Sequence, residues 1–335
     1  MSHAGTARLV ADAQKEESRH ATAWLSLLVR SVLNRVNSDR VGFEWSINPY
    51  RGCEFGCFYC YARYTHSYLD MAGNSFEKHI YIKRRVGRSL WNDLLHNKVV
   101  GKHIAIGTAT DPYQPVERRF GVTRSILETL LMYARLLPGG GGLDLSITTK
   151  SNLVLKDMEV LQTLQKRNRL RVNITITTLD TGLARILEPR APRPDLRLAA
   201  LQKLRAGGIP AGVFIAPILP GITDISCELD QLVQATRKSG AQWIVAQPAF
   251  LTTTTKATFF PLLAARFPNL EARYRYWYKN RGQGPKGYCQ VIRRELKALK
   301  ALHGFKSELH PDNRPTRLEL QPLAIYQGNQ LELGL

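Results

Sequence analysis

Residues 48–64 read NPYRGCEFGCFYCYARY, and three of the chain's five cysteines, Cys53, Cys57 and Cys60, fall inside this stretch. The spacing Cys-x3-Cys-x2-Cys puts three thiols in one short aromatic loop, where Gly52 and Gly56 let the chain wrap tightly enough for the sulfurs to converge. A structural zinc site closes with four ligands, and iron–sulfur clusters normally take four thiolates. Three thiolates leave one metal position without a protein ligand, open to a small chelating molecule. Zinc stays open as an alternative on spacing alone, with His66 as a fourth ligand that would have to reach back over the aromatic run. Cys227 and Cys289 are isolated, so the set is no disulfide framework and reads as a metal site in a reducing compartment.

Working outward from the loop, short β-rich runs alternate with amphipathic helices. The runs cover 43–48, 79–83, 103–107, 144–149, 171–178, 211–217 and 241–247, and the helices 88–97, 123–137, 157–167, 195–207 and 224–240. Thr123, Asp157 and Asp224 stand at N-cap positions, and Gly207 and Gly240 where helices stop. Strand–helix alternation argues for parallel βαβ units. With strands expected to be apolar on both faces, it predicts an α/β fold, a partial (β/α)6-type barrel, with an open doubly wound sheet as the other arrangement. In a barrel the cysteine loop, directly after the first strand, lies at the C-terminal face where active sites gather. Residues 23–36 show helical spacing through Leu25, Leu28, Val32 and Val36, predicting an N-terminal helical extension over 1–38 behind a flexible leader of about 22 residues. The barrel then spans 39–250. Residues 251–335 form a basic C-terminal appendage whose helix over 288–304 presents Ile292, Leu296 and Leu299 on one face, with an irregular, proline-rich tail from Lys306.

The chain has 335 residues, 44% of them hydrophobic, enough for one large α/β domain with an appendage. Its formal net charge is +20, which points to a polyanionic partner, nucleic acid before a membrane surface. AWLSLLV (23–29) is too short to span a bilayer and no transmembrane segment appears elsewhere, so the reading is a soluble, cytoplasmic protein without a membrane partner. Between Glu271 and Lys300 nine basic residues stand against two acidic ones, interleaved with tyrosines and Trp277. Such a segment can neutralise phosphates and stack on a base.

The cysteine loop, with Tyr59 before its last cysteine, resembles the signature of the radical S-adenosylmethionine superfamily. Further stretches are similar to the spore photoproduct lyase-like branch: 46–68, GTATDPYQPVERRFGVTR (107–124), TTKSNLVLKD (148–157), LEPRAPRPDLRL (187–198) and APILPGITD (216–224). The resemblance covers residues 33 to 250. It implies a 4Fe–4S cluster on Cys53, Cys57 and Cys60, and S-adenosylmethionine chelated to the free iron. Its reductive cleavage gives a 5′-deoxyadenosyl radical, with electrons from a donor such as flavodoxin or ferredoxin. It also implies cofactor contacts at Thr108, Thr110 and Asp111, which end one strand, and at Lys150, which ends the next and suits the cofactor carboxylate. Thr175 and Thr177 share one strand face and are candidate ribose or methionine contacts, and PILPG (217–221) would offer backbone groups to the adenine. Tyr59 and Tyr61 match tyrosines that return hydrogen to substrate in the lyase. Where the lyase's corresponding loop carries a hydrogen-donating cysteine, this chain has Thr108 and Ala109. Three readings follow: a radical enzyme acting on nucleic acid, in lyase-like DNA repair or base modification; a radical enzyme acting on a small molecule or protein; and a non-catalytic zinc or cluster protein that binds nucleic acid.

Overall fold

The computed structural model describes residues 14–19, 22–38, 41–69, 71 and 73–305. The chain builds two sheets. The smaller has the order β1 (Gln14–Arg19), β2 (Thr22–Leu28), β6 (His79–Arg84), β5 (Tyr50–Arg51). The larger runs β11 (Ile244–Pro248), β10 (Ala211–Ile218), β9 (Arg169–Thr175), β8 (Asp144–Thr149), β7 (His103–Ile106), β4 (Trp45–Ile47), β3 (Leu33–Arg35). From β4 to β11 these strands pair in parallel and in chain order, the topology of a partial (β/α)6 barrel, and β3 adds antiparallel at its edge.

Side-chain alternation explains both layers. Ile47, Ile104, Ile106, Leu145, Ile147, Val172, Ile174, Val213 and Ile215 share one strand phase and are fully buried in the main core. Helices α1 (Val86–His96), α2 (Val122–Leu136), α3 (Met158–Gln165), α4 (Thr181–Leu187), α5 (Pro194–Ala206) and α6 (Ser226–Lys238) alternate with these strands, and Leu90, Ile126, Leu161, Leu201 and Leu232 join the same core. Each such side chain contributes about 1.5–3 kcal/mol of burial free energy. The opposite phase carries Ser46, Ala105, Ser146, Thr148, Asn173 and Thr175, so the strands are not apolar on both faces as the sequence reading had it. Small and polar groups fill this phase because they hydrogen-bond across it: His103 Nε2 lies 2.7 Å from Ser146 Oγ, and Trp243 Nε1 donates to Asn173 Oδ1 at 3.0 Å. At the N-terminal ends of the strands Arg171 pairs with Asp144 at 2.5 Å.

The N-terminal helix expected over 23–36 is two strands instead. β2 lies between β1 and β6, with Trp24 in the main core and Leu25 and Leu27 in a second cluster with Tyr81. Apolar groups on both faces of a short run satisfy a helical template as well as a strand one. The run at 79–83 is a strand, β6, but of the small sheet rather than the barrel. Of the expected leader, Gln14–Arg19 pairs as β1; the rest of it up to residue 21, and the tail from Lys306, lie outside the described residues. Thr123 does not cap α2: Gly121 occupies the cap, and both Glu117 carboxylate oxygens accept from the Thr123 N–H, at 3.0 and 2.9 Å. Asp224 precedes α6 and accepts instead from the Gly221 N–H and the Tyr288 hydroxyl.

Past the barrel come α7 (Thr253–Arg266), α8 (Pro268–Trp277) and α9 (Lys286–Leu302), the helical appendage read from the sequence. Helix α9 buries Cys289, Ile292 and Leu296 against α6 and β11. No described helix is long and apolar enough to cross a membrane.

Candidate active site at the mouth of the barrel

The cysteine loop leaves the C-terminal end of β4 and is shaped by protein hydrogen bonds on every side. Gly52 has φ +84°, and a Cβ there would sit 2.6 Å from the His79 carbonyl oxygen, so only glycine fits. The Cys53 N–H donates to the Phe76 carbonyl at 3.1 Å, and the Phe58 N–H to the Leu187 carbonyl at 3.1 Å. Arg63, fully buried, donates from Nε and Nη2 to the Cys57 carbonyl (3.2 and 3.0 Å) and from Nη1 to Glu77 (2.6 Å). Gln114 clasps the loop twice: its Nε2 donates to the Gly52 carbonyl at 3.2 Å, and its Oε1 accepts the Glu54 N–H at 2.8 Å. Thr255, in the first turn of α7, donates to the Cys60 carbonyl at 3.1 Å and so ties the appendage to the loop.

Cys53 and Cys57 are buried and Cys60 is half-buried; all three thiols are free. Burial pushes each thiol pKa up, to about 12 for Cys57. The charges also act on one another: Cys57 and Cys60 both raise Cys53, and Cys60 raises Cys57. Lys150 opposes the rise at Cys57, and Arg63 and Lys150 oppose it at Cys60, the direction that favours thiolates. Among the described residues no three His, Cys, Asp or Glu side chains gather around one point as a single bound ion requires. Three thiolate donors in one loop are the ligand type an iron–sulfur cluster takes. An apolar shell surrounds the loop: Phe55, Tyr59, Phe76, Leu187, Leu219, Leu251, Phe259, Tyr274 and Tyr278.

The other site residues read from the sequence fall into two groups. Thr108, Thr110 and Asp111 follow β7 and serve as struts. Thr110 Oγ1 donates to the Gly52 carbonyl at 2.5 Å, and Thr108 Oγ1 lies 3.1 Å from Asn48 Nδ2. Asp111 Oδ1 accepts from the Tyr113 N–H (2.9 Å) and Thr149 Oγ1 (2.6 Å), and its Oδ2 from the Lys150 N–H (2.7 Å). Tyr61, 46% exposed at the rim, donates its hydroxyl to the Thr108 carbonyl.

The second group surrounds a buried carboxylate. Glu188 accepts from the Tyr59 hydroxyl, from Thr177 Oγ1 at 3.1 Å, and from Arg197 Nη2 in an ion pair with both side chains essentially fully buried. Arg197 also donates to the carbonyls of Thr175 (3.1 Å) and Pro192 (2.7 Å). Burial alone would raise the Glu188 pKa, but Arg197 and then Lys150, with the hydrogen bonds, bring it below the usual carboxylate value. Lys150 Nζ lies 5.6 Å from the centre of the Tyr59 ring. Burial works against its charge, yet Cys57, Glu188 and Asp111 together lift its pKa. Sequence reasoning missed Glu188, Arg197, Asn48, Glu54, Arg63 and Gln114 as site residues. Nothing in one sequence distinguishes these from surface polar residues: Asn48, Glu54 and Gln114 hold backbone groups about 60 residues away in the chain, and Arg63 holds the Cys57 carbonyl through a fold the local sequence does not mark.

The Radical SAM superfamily model matches residues 47–233. An uncharacterized protein of Mycobacterium tuberculosis (strain ATCC 25618 / H37Rv) is 31% identical over 299 residues, 89% of this chain and 86% of that protein. An uncharacterized protein of Methanocaldococcus jannaschii is 32% identical over 191 residues, 57% of this chain and 66% of that one. Among solved structures, spore photoproduct lyase complexed with dinucleoside spore photoproduct superposes with TM-score 0.61 at 15% identity, covering 89% of this chain and 86% of that chain, a likeness of fold. With its three thiols in one loop at the C-terminal end of the first parallel strand, the chain belongs to the radical SAM superfamily, enzymes that work with a 4Fe–4S cluster and S-adenosylmethionine.

Proposed function

We propose that this enzyme acts on a nucleic-acid base, in modification or lyase-like repair. The observation that carries the reading is where the basic segment lies. Phe250, just beyond the C-terminal end of β11, bridges Gln283, and the Leu251 N–H donates to the Gly282 carbonyl at 2.7 Å. Arg281 therefore sits at the same end of the strands as the cysteine loop. Arg273, Arg275, Lys279 and Lys286 are exposed nearby in the chain, and Tyr276 is 80% exposed. Cationic side chains with a free aromatic face suit a strand whose base is turned out of its stack. The fold neighbour described as bound to a dinucleoside photoproduct supports the same reading.

In this reading Cys53, Cys57 and Cys60 hold the cluster, and Lys150 orients the carboxylate of S-adenosylmethionine. The bound cofactors supply a carbon radical that abstracts hydrogen from substrate. Thr108, Thr110 and Asp111 act chiefly by fixing the cysteine loop and the Lys150 backbone. Thr175 and Thr177 lie on the polar phase of β9 and just past it, where they line the cofactor's seat. Glu188 and Arg197 set the Tyr59 ring against Lys150, and the apolar shell keeps water from the reacting atoms. Tyr59 and Tyr61 are the candidates for returning hydrogen. Cys227 is exposed on α6 and Cys289 is buried in α9, and neither is in the 107–111 loop, so the reading favours base modification or another repair over spore photoproduct cleavage itself. A cytoplasmic flavodoxin- or ferredoxin-like donor would supply the electron.

Anaerobic reconstitution tests the reading directly. Reductant should yield a brown protein that forms 5′-deoxyadenosine, faster with DNA or RNA added. Nucleosides from cells with and without the gene should differ in one modified or damaged base by mass spectrometry. Turnover unaffected by nucleic acid, with unchanged nucleoside profiles, would move the substrate to a small molecule or protein.

A further inference from the structure

We propose that the face of the small sheet carrying Arg51 and Lys83 is a binding site for a tetrahedral oxyanion of the phosphate class. Strand register sets the geometry. Arg51 on β5 lies directly opposite Tyr81 on β6, and Lys83 is two residues further along β6. Directly paired residues and those two apart share a sheet face. Arg51, Tyr81, Lys83 and His79 therefore line one face, away from Tyr50, Ile80 and Ile82 in the main core. Helical turns after the cysteine loop lay His66 over it: His66 is fully buried, 6.1 Å from the Tyr81 ring, with Nε2 3.2 Å from the His79 carbonyl.

Among the described residues this face carries no counter-charge. Lys83 is only 7% exposed and Arg51 is half-buried, yet among the described residues neither has an ion pair or a side-chain hydrogen bond. The Nδ1 atoms of His66 and His79 are likewise buried without partners. Asp93, the one carboxylate that acts favourably on Lys83, is spent on the N–H groups of Val32 and Leu33 at 2.6 and 2.9 Å. Burial, and then the Arg51 charge, pull the Lys83 pKa down to about 7. Proteins rarely bury a cation without pairing it, because the desolvation is uncompensated. A guanidinium fork, an ammonium and the His79 ring nitrogen offer several donors at once, and an oxyanion with several acceptor oxygens is the ligand class that uses them together. Free phosphate and a terminal phosphate on a nucleotide share that chemistry.

The test is scanning calorimetry on the full-length, anaerobically reconstituted protein at pH 7, in chloride and in inorganic phosphate at equal ionic strength. Phosphate at about a hundred times its Kd should raise the unfolding midpoint by about 4 °C. Lys83→Met should abolish the shift while melting no lower than wild type in chloride, because it deletes an unpaired cation. Lys83→Arg should retain the shift, and so should Arg84→Gln, which removes an exposed neighbouring charge. A 5′-phosphorylated dinucleotide compared with its 5′-hydroxyl form separates the two sources: protection at lower concentration than free phosphate assigns the site to a nucleotide terminus. No phosphate shift beyond that in chloride, or a shift that survives Lys83→Met, overturns the proposal and leaves Lys83 as a buried neutral amine.

Discussion

Replacing Glu188 by glutamine should destabilise the protein far more than a surface change, and the structure gives the size. The carboxylate faces the Arg197 guanidinium with both side chains buried, and it also accepts from Tyr59 and Thr177. Glutamine keeps one oxygen for Tyr59 and Thr177 but turns an amide donor or a neutral oxygen toward Arg197. The guanidinium keeps its carbonyl partners at Thr175 and Pro192 and loses its counter-charge. Stranding one member of a buried pair costs about 3–5 kcal/mol, whereas removing both is near neutral. For a chain of this size that is a fall in thermal midpoint of about 4–7 °C, read by calorimetry at a fixed scan rate. Glu188→Gln with Arg197→Met should recover most of the loss. The folded-state pKa of Glu188 lies below its ordinary value. The stabilisation is therefore complete above the unfolded carboxylate pKa, about 4.3, and is lost as pH falls through the lower folded value. Wild type and Glu188→Gln should thus converge in acid. A Glu188→Gln penalty under about 1 kcal/mol at pH 7, or one that persists unchanged in acid, would refute the reasoning.

Alanine at Cys53, Cys57 or Cys60 should each abolish the brown colour and bring iron after reconstitution close to zero, while Cys289→Ser leaves both intact. Gly52→Ala should do the same by another route, since its Cβ would meet the His79 and Phe76 carbonyls at 2.6 and 2.7 Å, and soluble yield should fall with iron content. Lys150→Met should weaken S-adenosylmethionine binding by about 10- to 100-fold in equilibrium dialysis at unchanged iron content, the loss of one charge-assisted hydrogen bond. Binding of single-stranded nucleic acid should fall linearly with log salt, and Arg273→Gln with Lys279→Gln should lower the slope by about 0.7 for each phosphate contact removed.

The α/β alternation was legible because each helix carries an apolar stripe that the strands between do not, whereas nothing local told the run at 79–83 from a barrel strand. The cysteine loop was legible because its three thiols come from one short segment. Residues 23–36 were misread because Trp24, Leu25 and Leu27 serve two faces, and only the pairing with β6 decides between them. The polar inner phase of the barrel was missed because Ser46, Ser146 and Asn173 are strand-neutral singly and make sense only side by side. Asp111 was read as a cofactor contact at the active face, and its strut role was not legible. Its bonds to Thr149 and Lys150 come from the neighbouring strand, which local sequence does not reveal. Gln114 is the limiting case: one amide grips a loop 60 residues away, and nothing around it in the chain marks it.

That grip bears on how such a molecule survives air. Where metal alone organises a peptide, stripping the metal collapses the fold. Here Gln114, Arg63, Phe76 and Leu187 hold the thiol-bearing turn through amide and guanidinium contacts that oxygen does not touch. Oxidative loss of the inorganic centre therefore leaves an intact mould, and recovery needs iron, sulfide and reduced thiols delivered to a waiting shape rather than a second round of folding.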